Sequence, residues 1–442
     1  MKAQSTSDLH HIVIVGGGAG GLELATSLGD SLGRKGKAAI TLIDRTRTHV
    51  WKPLLHEIAA GSMDPDKHQL DYLAQAHWHH FKFRLGNMDG LDRAKKEVYV
   101  AAFHDEDGAE VIPRRVFKYD TLIIAVGSTT NDFGITGASE HSIALDTQDQ
   151  AERFHRRLHN ACIRAQTQLE AIQPGQLEVV IVGAGATGVE LAAELHNTTR
   201  ELAAYGLDKI DPDKDIRISL IEASDRVLPA LPPRLSHAVV EELHKLRVNL
   251  YTGERVTEVT DKGVRTHSGR FMPSELVVWA AGIKAPDFLS NLDGLETNRI
   301  NQLVVSRTLQ TSLDPNIFAF GDCAACPWPG NEENVPPRAQ AAHQQASMLV
   351  KTVKRIMAGK SLPEYSYRDY GSLVGLGRYS TVGSLMGALA GGSMYIEGLF
   401  ARLMYKSLYK MHLMTLHGFF SVFLQTLARI ITRRTESRVK LH

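Results

Sequence analysis

The feature that most constrains this chain is one pattern that occurs twice along it. A short apolar run leads into a glycine-rich turn, a segment with helical spacing follows, and a second apolar run ends at an acid. The first copy covers residues 12–44 and the second covers residues 179–222. Each copy is typical of a strand–helix–strand unit in a parallel sheet. A lone glycine motif would be weak evidence, but two copies in the same context predict two dinucleotide-binding units.

Three glycines in each copy have separate roles in such a unit. The first permits the tight turn, the second lets a pyrophosphate approach the backbone, and the third lets helix and strand pack closely. These glycines are Gly16, Gly18 and Gly21 in the first copy and Gly183, Gly185 and Gly188 in the second. The pyrophosphate would lie at a helix N-terminus, where free N–H groups and the helix dipole favour anions.

The acid that ends each copy bears on the choice of nucleotide. Asp44 and Glu222 are predicted to accept hydrogen bonds from ribose hydroxyls. A carboxylate at Glu222 would repel the 2′-phosphate of NADP, and Arg226 is close in sequence but not adjacent. The second copy therefore favours NADH over NADPH.

Two more apolar runs end in small residues, one in each half of the chain. Small side chains at the end of a strand let a dinucleotide or a crossing chain approach the backbone. The candidate binding residues in these turns are Ala125, Gly127, Ala281 and Gly282. A further apolar run, residues 317–320, leads into Gly321 and Asp322, so it also ends in an acid.

Length and composition restrict the class of protein. The 442 residues suggest two or three domains at a prior of ~150 residues each. A formal net charge of +1 argues against a general nucleic-acid-binding protein. The three cysteines are too few for a disulfide scaffold, and the apolar run near the N-terminus is too short for a signal peptide. The expected location is the cytoplasm or the cytoplasmic side of a membrane.

The C-terminal segment combines apolar and basic residues. From Arg402 onward it is predicted to be helical, with a polar stripe formed by Lys406, Lys410, His417, Ser421, Gln425, Arg429 and Arg433. Phenylalanine, leucine and isoleucine fill much of the remaining surface, which favours an amphipathic helix in the membrane interface. The basic residues Arg433, Arg434, Arg438 and Lys440 are predicted to face anionic headgroups. A membrane span over residues 413–431 and a homodimer contact are the alternatives.

The order of these motifs resembles that of the flavoprotein reductases with two dinucleotide-binding domains. The resemblance implies an α/β fold with two Rossmann-like domains, in which the first unit binds FAD, the second binds NADH, and Asp322 contacts FAD. The implied FAD domain is discontinuous, over residues 9–145 and 285–345. The NADH domain, residues 146–284, is inserted into it, and residues 346–442 form a segment for membrane association.

Within that superfamily the chain resembles the type II NADH:quinone oxidoreductases of bacterial respiration. Four features carry the resemblance: residues 51–57, 185–190 and 336–344, and a C-terminus that is both apolar and basic. It implies that Lys52, Pro53 and Ala339 lie at FAD, and that Glu190, Gln340 and Gln344 are the catalytic residues. The alternatives are a first-turn acid that complements the helix dipole at Glu190 and solvated helix residues at the two glutamines.

The implied activity is hydride transfer from NADH to FAD, then transfer of two electrons to a membrane quinone, ubiquinone or menaquinone, without proton pumping. The implied enzyme is peripheral, on the cytoplasmic face of the bacterial inner membrane, and a homodimer is expected. An enzymatic alternative is a sulfide:quinone oxidoreductase, in which Cys162 would pair with Cys323. A non-enzymatic alternative is a flavin-bearing protein that senses NADH.

Two further clusters favour ordinary interpretations. Cys323 and Cys326 have the spacing of a redox dithiol, but a loop pair fits their position better, and no second pair completes a zinc site. His77, His79 and His80 lack carboxylates at metal-ligand spacing, which favours a solvated surface cluster. No metal is expected.

Overall fold

The computed structural model describes residues 9–207, 209–376, 380–385, 394–432 and 439–440. Its helices, in chain order, are α1 (Ala19–Leu28), α2 (Leu55–Ala60), α3 (Tyr72–Trp78), α4 (Ala138–His141), α5 (Gln148–Thr167), α6 (Ala186–Ala204), α7 (Pro233–Lys245), α8 (Ala339–Ile356), α9 (Gly398–His417) and α10 (Phe419–Thr432). The chain divides into two compact units. Unit 1 holds residues up to Trp51, His68–Thr129 and Ile283–Arg368, and unit 2 holds the remaining residues. The short segment Lys52–Lys67 therefore belongs to unit 2.

Unit 1 is built on a six-stranded sheet. Its strands lie in the order Gln310–Thr311, Asp314–Ala319, Thr121–Ile124, His10–Val15, Ala38–Asp44 and Lys82–Leu85. All neighbours are parallel except the first pair. The central strand is buried from Ile12 to Val15, as expected for a parallel strand that is covered on both faces. A smaller antiparallel sheet joins Met88–Asp92, Glu97–Val100 and Arg115–Lys118.

Unit 2 is built on a second parallel sheet. Its strands lie in the order Ile143–Ala144, Leu276–Trp279, Glu178–Val182, Arg217–Ile221 and Asn249–Tyr251. Two antiparallel sheets accompany it: Val256–Thr260, Gly263–Thr266 and Phe271–Pro273 form one, and Gly371–Leu376, Ser380–Leu385 and Met394–Glu397 form the other. Both predicted strand–helix–strand copies are present, one in each unit, so the predicted α/β class is confirmed.

Shorter strands complete the fold. Within unit 1 they pair Thr48–His49 with Leu70–Asp71, Phe103–His104 with Glu110–Ile112, and Leu303–Val304 with Ala324–Ala325. Helix α5 begins with a capping box, in which Thr147 and Gln150 satisfy each other's backbone N–H groups. Cys162 lies on the buried face of this helix.

The C-terminal helices that the sequence predicts are present. Helix α9 ends at His417, Gly418 takes a φ of +78°, and α10 begins at Phe419, so the predicted polar stripe is divided between two helices. The side chains of Leu413, Leu416 and Val422 are buried. Within the described ranges, no helix is both long and apolar enough to cross a membrane.

The basic tail differs as well. Arg433, Arg434 and Arg438 lie outside the described residues. The prediction that Lys440 faces headgroups is wrong, because its Nζ lies 3.5 Å from an Asp64 carboxylate oxygen and 3.9 Å from one of Asp66. Its backbone N–H donates to the Gly61 carbonyl at 2.8 Å, and its own carbonyl lies 3.0 Å from His155 Nε2. The tail thus contacts the segment after α2.

Candidate functional site

The glycine turn of unit 1 has the geometry that its sequence predicts. Gly16 has a φ of +104°, and a Cβ there would overlap the backbone of Ala125. A Cβ on Gly21 would overlap the Gly16 carbonyl oxygen, so helix and turn are in direct contact. In contrast, nothing lies within 4 Å of a Cβ built on Gly18, which is exposed at the start of α1. The turn therefore leaves an open cradle of backbone N–H groups, and this cradle fits a pyrophosphate.

The turn of unit 2 repeats this geometry. Gly183 has a φ of +103°, and a Cβ there would lie 2.7 Å from the backbone of Ala281. A Cβ on Gly188 would overlap the Gly183 carbonyl oxygen, whereas one on Gly185 would meet nothing within 4 Å. The structure thus contains two cradles of one design, each at the N-terminus of a helix longer than two turns.

Each cradle is braced by the acid at the end of the following strand. One Asp44 oxygen accepts from the Gly17 N–H at 2.6 Å, and the other accepts from Thr46 at 2.7–2.8 Å. Glu222 does the same in unit 2, where its oxygens accept from the N–H groups of Ala184 and Ser224, both at 2.8 Å. A carboxylate oxygen can accept more than one hydrogen bond, so both acids still have capacity for a ribose diol.

Asp322 lies in a turn at the end of a neighbouring strand of unit 1. Its Oδ2 accepts from the Ser128 hydroxyl at 2.8 Å, and its carbonyl accepts from Gln302 Nε2 at 2.8 Å. The preceding N–H, that of Gly321, donates to Gln345 Oε1 at 2.8 Å. These bonds tie the Asp322 turn both to the end of the strand Thr121–Ile124 and to α8.

The turns around Gly127 and Gly282 differ from each other. Gly127 has a φ of +71° and nothing within 4 Å of a Cβ position, so its turn is open. A Cβ on Gly282, at a φ of +66°, would overlap the ring of Phe133. The open space predicted next to Ala281 and Gly282 is therefore partly filled by an aromatic side chain of the same unit.

Helix α8 presents the two predicted glutamines. Ala339 is its first residue, and Gln340 and Gln344 lie one turn apart on it. The Gln344 amide is engaged by the backbone of Arg368: its Nε2 donates to the carbonyl at 2.8 Å, and its Oε1 accepts the N–H at 3.1 Å. One donor and one acceptor site of that amide are thus already used. Gln344 is half-buried, and its role at the quinone stays a prediction.

Glu190 lies in unit 2 and is buried. The first turn of α6 contains no acid, so the interpretation of Glu190 as a first-turn helix acid is wrong. Its Oε1 accepts from the Gly375 N–H at 3.0 Å, and its Oε2 lies 3.5 Å from His56 Nδ1. Burial lowers the pKa of His56 to about 4, so this imidazole is neutral near pH 7.

Lys52 and Pro53 lie just before α2, in a short 3₁₀ turn at the surface of unit 2. Lys52 Nζ lies 3.4 Å from Asp146 Oδ1, and the other oxygen of Asp146 accepts from the Thr130 N–H at 2.8 Å. Lys52 therefore has a local anionic partner and is held close to the point where the chain enters unit 2.

The cysteines do not form a redox pair in this structure. Cys162, Cys323 and Cys326 are each free and buried. Burial raises the pKa of each thiol to about 11, which keeps the nucleophilic thiolate scarce. In the described part of the chain, no group of three or more potential ligands could hold a metal ion. Of the histidine cluster, His77 and His80 are exposed, but His79 is not simply solvated, because its Nδ1 lies 3.0 Å from Asp30 Oδ2.

Sequence reasoning missed the partners of these residues. One residue that sequence reasoning missed is Glu23, which is buried. Its Oε2 lies 2.6 Å from His343 Nδ1. The repeat itself carried a signal for it, since Glu23 follows Gly21 as Glu190 follows Gly188. Gln345 and His56 carried no comparable signal, because their partners are far away in the sequence.

Known proteins resemble this chain over most of its length. A family model described as pyridine nucleotide-disulphide oxidoreductase matches residues 10–346. A Haemophilus influenzae protein named type II NADH:quinone oxidoreductase is 41% identical over 446 residues, 98% of this chain and 100% of the relative. A Staphylococcus aureus protein of the same name is 26% identical over 86% of this chain and 90% of its own length.

Solved structures share the fold. The structure of NDH2 from Plasmodium falciparum in complex with NADH has a TM-score of 0.78 at 19% identity, and covers 94% of this chain and 98% of that one. The sulfide:quinone oxidoreductase of Aquifex aeolicus has a TM-score of 0.70 at 18% identity and covers 95% of each chain. At such identities the likeness concerns the fold alone, which confirms the predicted arrangement of two dinucleotide-binding folds.

Proposed function

Since this chain belongs to the pyridine nucleotide-disulphide oxidoreductase family, and within it to the type II NADH:quinone oxidoreductases, we propose that it carries electrons from NADH through FAD to a quinone. The observation that supports this most directly is the pair of open glycine cradles at Gly18 and Gly185, each beside a braced acid. Two dinucleotides are what this activity requires. FAD, when bound, supplies the two-electron chemistry that links a hydride donor to a quinone.

We assign FAD to unit 1 and NADH to unit 2. In unit 1 the Gly16–Gly21 turn would hold the pyrophosphate, Asp44 the ribose, and Asp322 and Ala339 the part of FAD nearer the ring. In terms of bound nucleotide, the FAD domain is residues 9–145 and 285–345, and the NADH domain is residues 146–284. Ala125 and Gly127 complete the proposed FAD contacts within unit 1. For Lys52 and Pro53, which belong to unit 2, a contact with FAD stays a prediction from the family resemblance.

In unit 2 the Gly183–Gly188 turn and Glu222 would hold NADH, together with Ala281 and Gly282. The Glu222 carboxylate supports NADH over NADPH, because it would meet the 2′-phosphate with like charge. Arg226, the nearest cation in sequence, already donates to the Pro229 carbonyl at 2.8 Å. A comparable kcat/KM with NADPH would contradict this assignment.

The catalytic residues that we propose are Glu190, Gln340 and Gln344. Quinone reduction consumes two protons, and a buried carboxylate beside a neutral imidazole can hold or pass a proton. The amides of Gln340 and Gln344 can hydrogen-bond a quinone carbonyl without titrating. Electron transfer in this scheme moves no proton across a membrane.

The experiment that tests the function is anaerobic reduction and reoxidation of the purified protein. NADH should bleach the flavin absorbance, and a short-chain ubiquinone should restore it within the time of steady-state turnover. Bleaching without recovery would mean a different acceptor. No bleaching with NADH, but bleaching with sulfide, would replace the proposal with the sulfide-oxidising alternative.

We further propose that the protein is peripheral, on the cytoplasmic face of the membrane, and that α10 contacts an anionic lipid surface. Phe419 and Phe420 are each 70% exposed, and Phe423, Leu424 and Leu427 are exposed beside them. A contiguous apolar face of this kind must be covered by lipid or by another protein.

Vesicle flotation tests this membrane contact. Phe419→Ser with Phe420→Ser should lower the fraction bound to vesicles of phosphatidylglycerol at least severalfold. The matched control is Trp78→Ser, which removes an exposed aromatic side chain from unit 1 and should leave binding unchanged. Undiminished flotation of the double variant would contradict the proposal. The homodimer that the sequence also predicts would sediment, in the absence of detergent, with twice the mass of one chain.

A further inference from the structure

The two glycine repeats place a buried glutamate at the same position. Glu23 follows Gly21 by two residues, and Glu190 follows Gly188 by two residues. Both carboxylates are buried, and each faces a histidine from a distant part of its own unit: His343 for Glu23 and His56 for Glu190. The proposed function uses Glu190. It leaves the pair in unit 1 without a role.

The pair in unit 1 fixes the start of α8 against α1. Glu23 Oε2 lies 2.6 Å from His343 Nδ1, which is the distance of a strong, charge-assisted hydrogen bond. The two helices are close at this point, since a Cβ on Gly20 would lie 3.1 Å from the Ala342 carbonyl oxygen. His343 lies between Gln340 and Gln344 in the sequence of α8.

Hydrogen bonds between neutral groups also hold this part of α8. Gln344 bonds to the Arg368 backbone, and Gln345 accepts from the Gly321 N–H. The Tyr365 hydroxyl lies 3.5 Å from the Ala341 carbonyl oxygen, a long contact. When the imidazole is protonated, the short hydrogen bond between His343 and Glu23 is stronger than each of these neutral contacts.

We propose that Glu23 is a positioning residue for quinone reduction, which through His343 fixes the turn of α8 that presents Gln340 and Gln344. This inference rests on the proposed function. It assigns a role in the oxidative half-reaction to a residue of the FAD repeat that lies outside the nucleotide cradle itself.

The charge state of His343 provides a readout. Its hydrogen bond to the Glu23 carboxylate raises the pKa of His343. Glu23 is the charged group that faces the imidazole from α1, and the neighbouring α8 side chains of Gln340, Gln344 and Gln345 are uncharged. The charge assistance of this restraint is therefore fully present below the ordinary pKa of a histidine and is lost as the pH rises through the folded-state pKa of His343.

The test compares Glu23→Gln with Asp30→Asn. The control removes the carboxylate of another histidine pair in unit 1, that of His79, whose Nδ1 lies 3.0 Å from Asp30 Oδ2. Both variants are examined as holoenzyme, by anaerobic flavin reduction with NADH and by reoxidation with a short-chain ubiquinone over a range of pH. The imidazole titration of His343 is followed by NMR.

For Glu23→Gln we expect the KM for quinone to rise about tenfold, as loss of one charge-assisted hydrogen bond allows. Flavin reduction by NADH should stay within about twofold of wild type, a difference of about 0.4 kcal/mol. The His343 titration and the alkaline limb of the reoxidation rate should both move to lower pH. Asp30→Asn should change neither half-reaction.

Unchanged quinone kinetics and an unchanged pH profile in Glu23→Gln would overturn the inference. If that variant does not retain FAD, His343→Gln tests the same contact from α8, with the same expected rise in KM and the alkaline limb abolished. Wild-type kinetics in His343→Gln would then refute the role. A wild-type enzyme that NADH bleaches but quinone does not reoxidise would refute the proposed function instead, and the His343 titration would still report the contact.

Discussion

The two glycine repeats have nearly the same backbone, yet they hold their buried glutamates in opposite electrostatic settings. The first glycines have φ values of +104° and +103°, and the acids brace the turns through hydrogen bonds of 2.6 and 2.8 Å. The histidine that faces Glu23 has a side chain that is 41% exposed, whereas the one that faces Glu190 is 5% exposed. The backbone design is thus shared, while burial of the partner histidine differs.

This difference decides where a proton is held. The pKa of His343 is raised by its hydrogen bond to Glu23, and that of His56 is lowered to about 4 by burial. Glutamates at matching repeat positions therefore face an imidazole whose charged form is favoured in unit 1 and an imidazole that is neutral near pH 7 in unit 2. Two repeats can therefore share a nucleotide-binding backbone while the glutamate of one fixes a helix and the glutamate of the other is proposed to hold or pass a proton.

The largest effect is expected from substitutions that would break the shared backbone. Gly21→Ala should yield protein without FAD, because its Cβ would overlap the Gly16 carbonyl. Gly188→Ala should retain FAD but fail to bleach with NADH, since its overlap is with Gly183 in the other unit. Overpacking of this kind costs about 1–3 kcal/mol and sometimes more. FAD content and NADH bleaching measure the two outcomes.

Gly18→Ala and Gly185→Ala serve as controls for that pair. Neither Cβ would meet a protein atom within 4 Å, so thermal unfolding should stay near wild type while the affinity for one dinucleotide falls. If Gly21→Ala bound FAD normally, or if Gly188→Ala lost FAD, the assignment of the two units would be wrong.

A smaller effect is expected from the two bracing acids. Glu222→Gln should raise the KM for NADH about tenfold, which corresponds to loss of a charged hydrogen bond of roughly 1.5 kcal/mol. The same substitution should also reduce the ratio of kcat/KM for NADH to kcat/KM for NADPH, because the carboxylate that repels a 2′-phosphate is removed. Asp44→Asn should lower FAD retention and leave the KM for NADH unchanged. Steady-state kinetics with NADH and NADPH would measure these effects. If both substitutions raised the KM for NADH equally, the assignment of FAD to unit 1 and NADH to unit 2 would be contradicted.

A third effect is confined to acidic pH and concerns the free energy of unfolding. His56 has a folded-state pKa of about 4 and an ordinary value of 6.5, so the unfolded chain binds more protons between these pH values. The stability that it contributes is complete above pH 6.5 and is lost as the pH falls towards 4, by about 1–3 kcal/mol. His56→Gln should therefore reduce the loss of stability on acidification, as measured by urea unfolding at pH 7.5 and 5.

His343→Gln should act with the opposite sign. Its raised pKa stabilises the fold at low pH, and that contribution is lost as the pH rises through the folded value. The effect should be smaller, because the imidazole is partly exposed. His196, whose pKa is also lowered to about 4, contributes in the same acidic range as His56 and is left unchanged in both variants. If the free energy of unfolding changed with pH in the same way in both variants, the two histidine–glutamate pairs would not differ as proposed.

Local sequence patterns were enough to predict the strand–helix–strand repeat, with its glycine turn and acid, in both units. The glycine spacing and the acids Asp44 and Glu222 depend on residues close together in the chain, and the structure places them in matching contacts. The roles of Glu190, Gln340 and Gln344 stay predictions, because they concern groups that bind to the protein. The packing partners could not be predicted: Glu23 and His343 are 320 positions apart, and no local periodicity connects them.

The C-terminal segment shows the same limit. A lone glycine inside an apolar helical pattern costs only ~1 kcal/mol, so the pattern did not indicate that one C-terminal helix ends, and the next begins, at Gly418. Basic residues near an apolar helix favour lipid headgroups, but Lys440 instead contacts Asp64 and Asp66, acids from a distant part of the chain. Charge alone did not identify the partner.

The contact of Lys440 with the segment after α2 has a consequence for biosynthesis. The Gly61 carbonyl and the His155 ring acquire these partners only after Lys440 has left the ribosome, when α9 and α10 have already been made. Unit 2 therefore cannot complete its packing during translation of its own glycine repeat. A nascent chain would carry an unfinished surface beside α2 while its apolar helices emerge, and closure of that surface would be among the last steps of maturation.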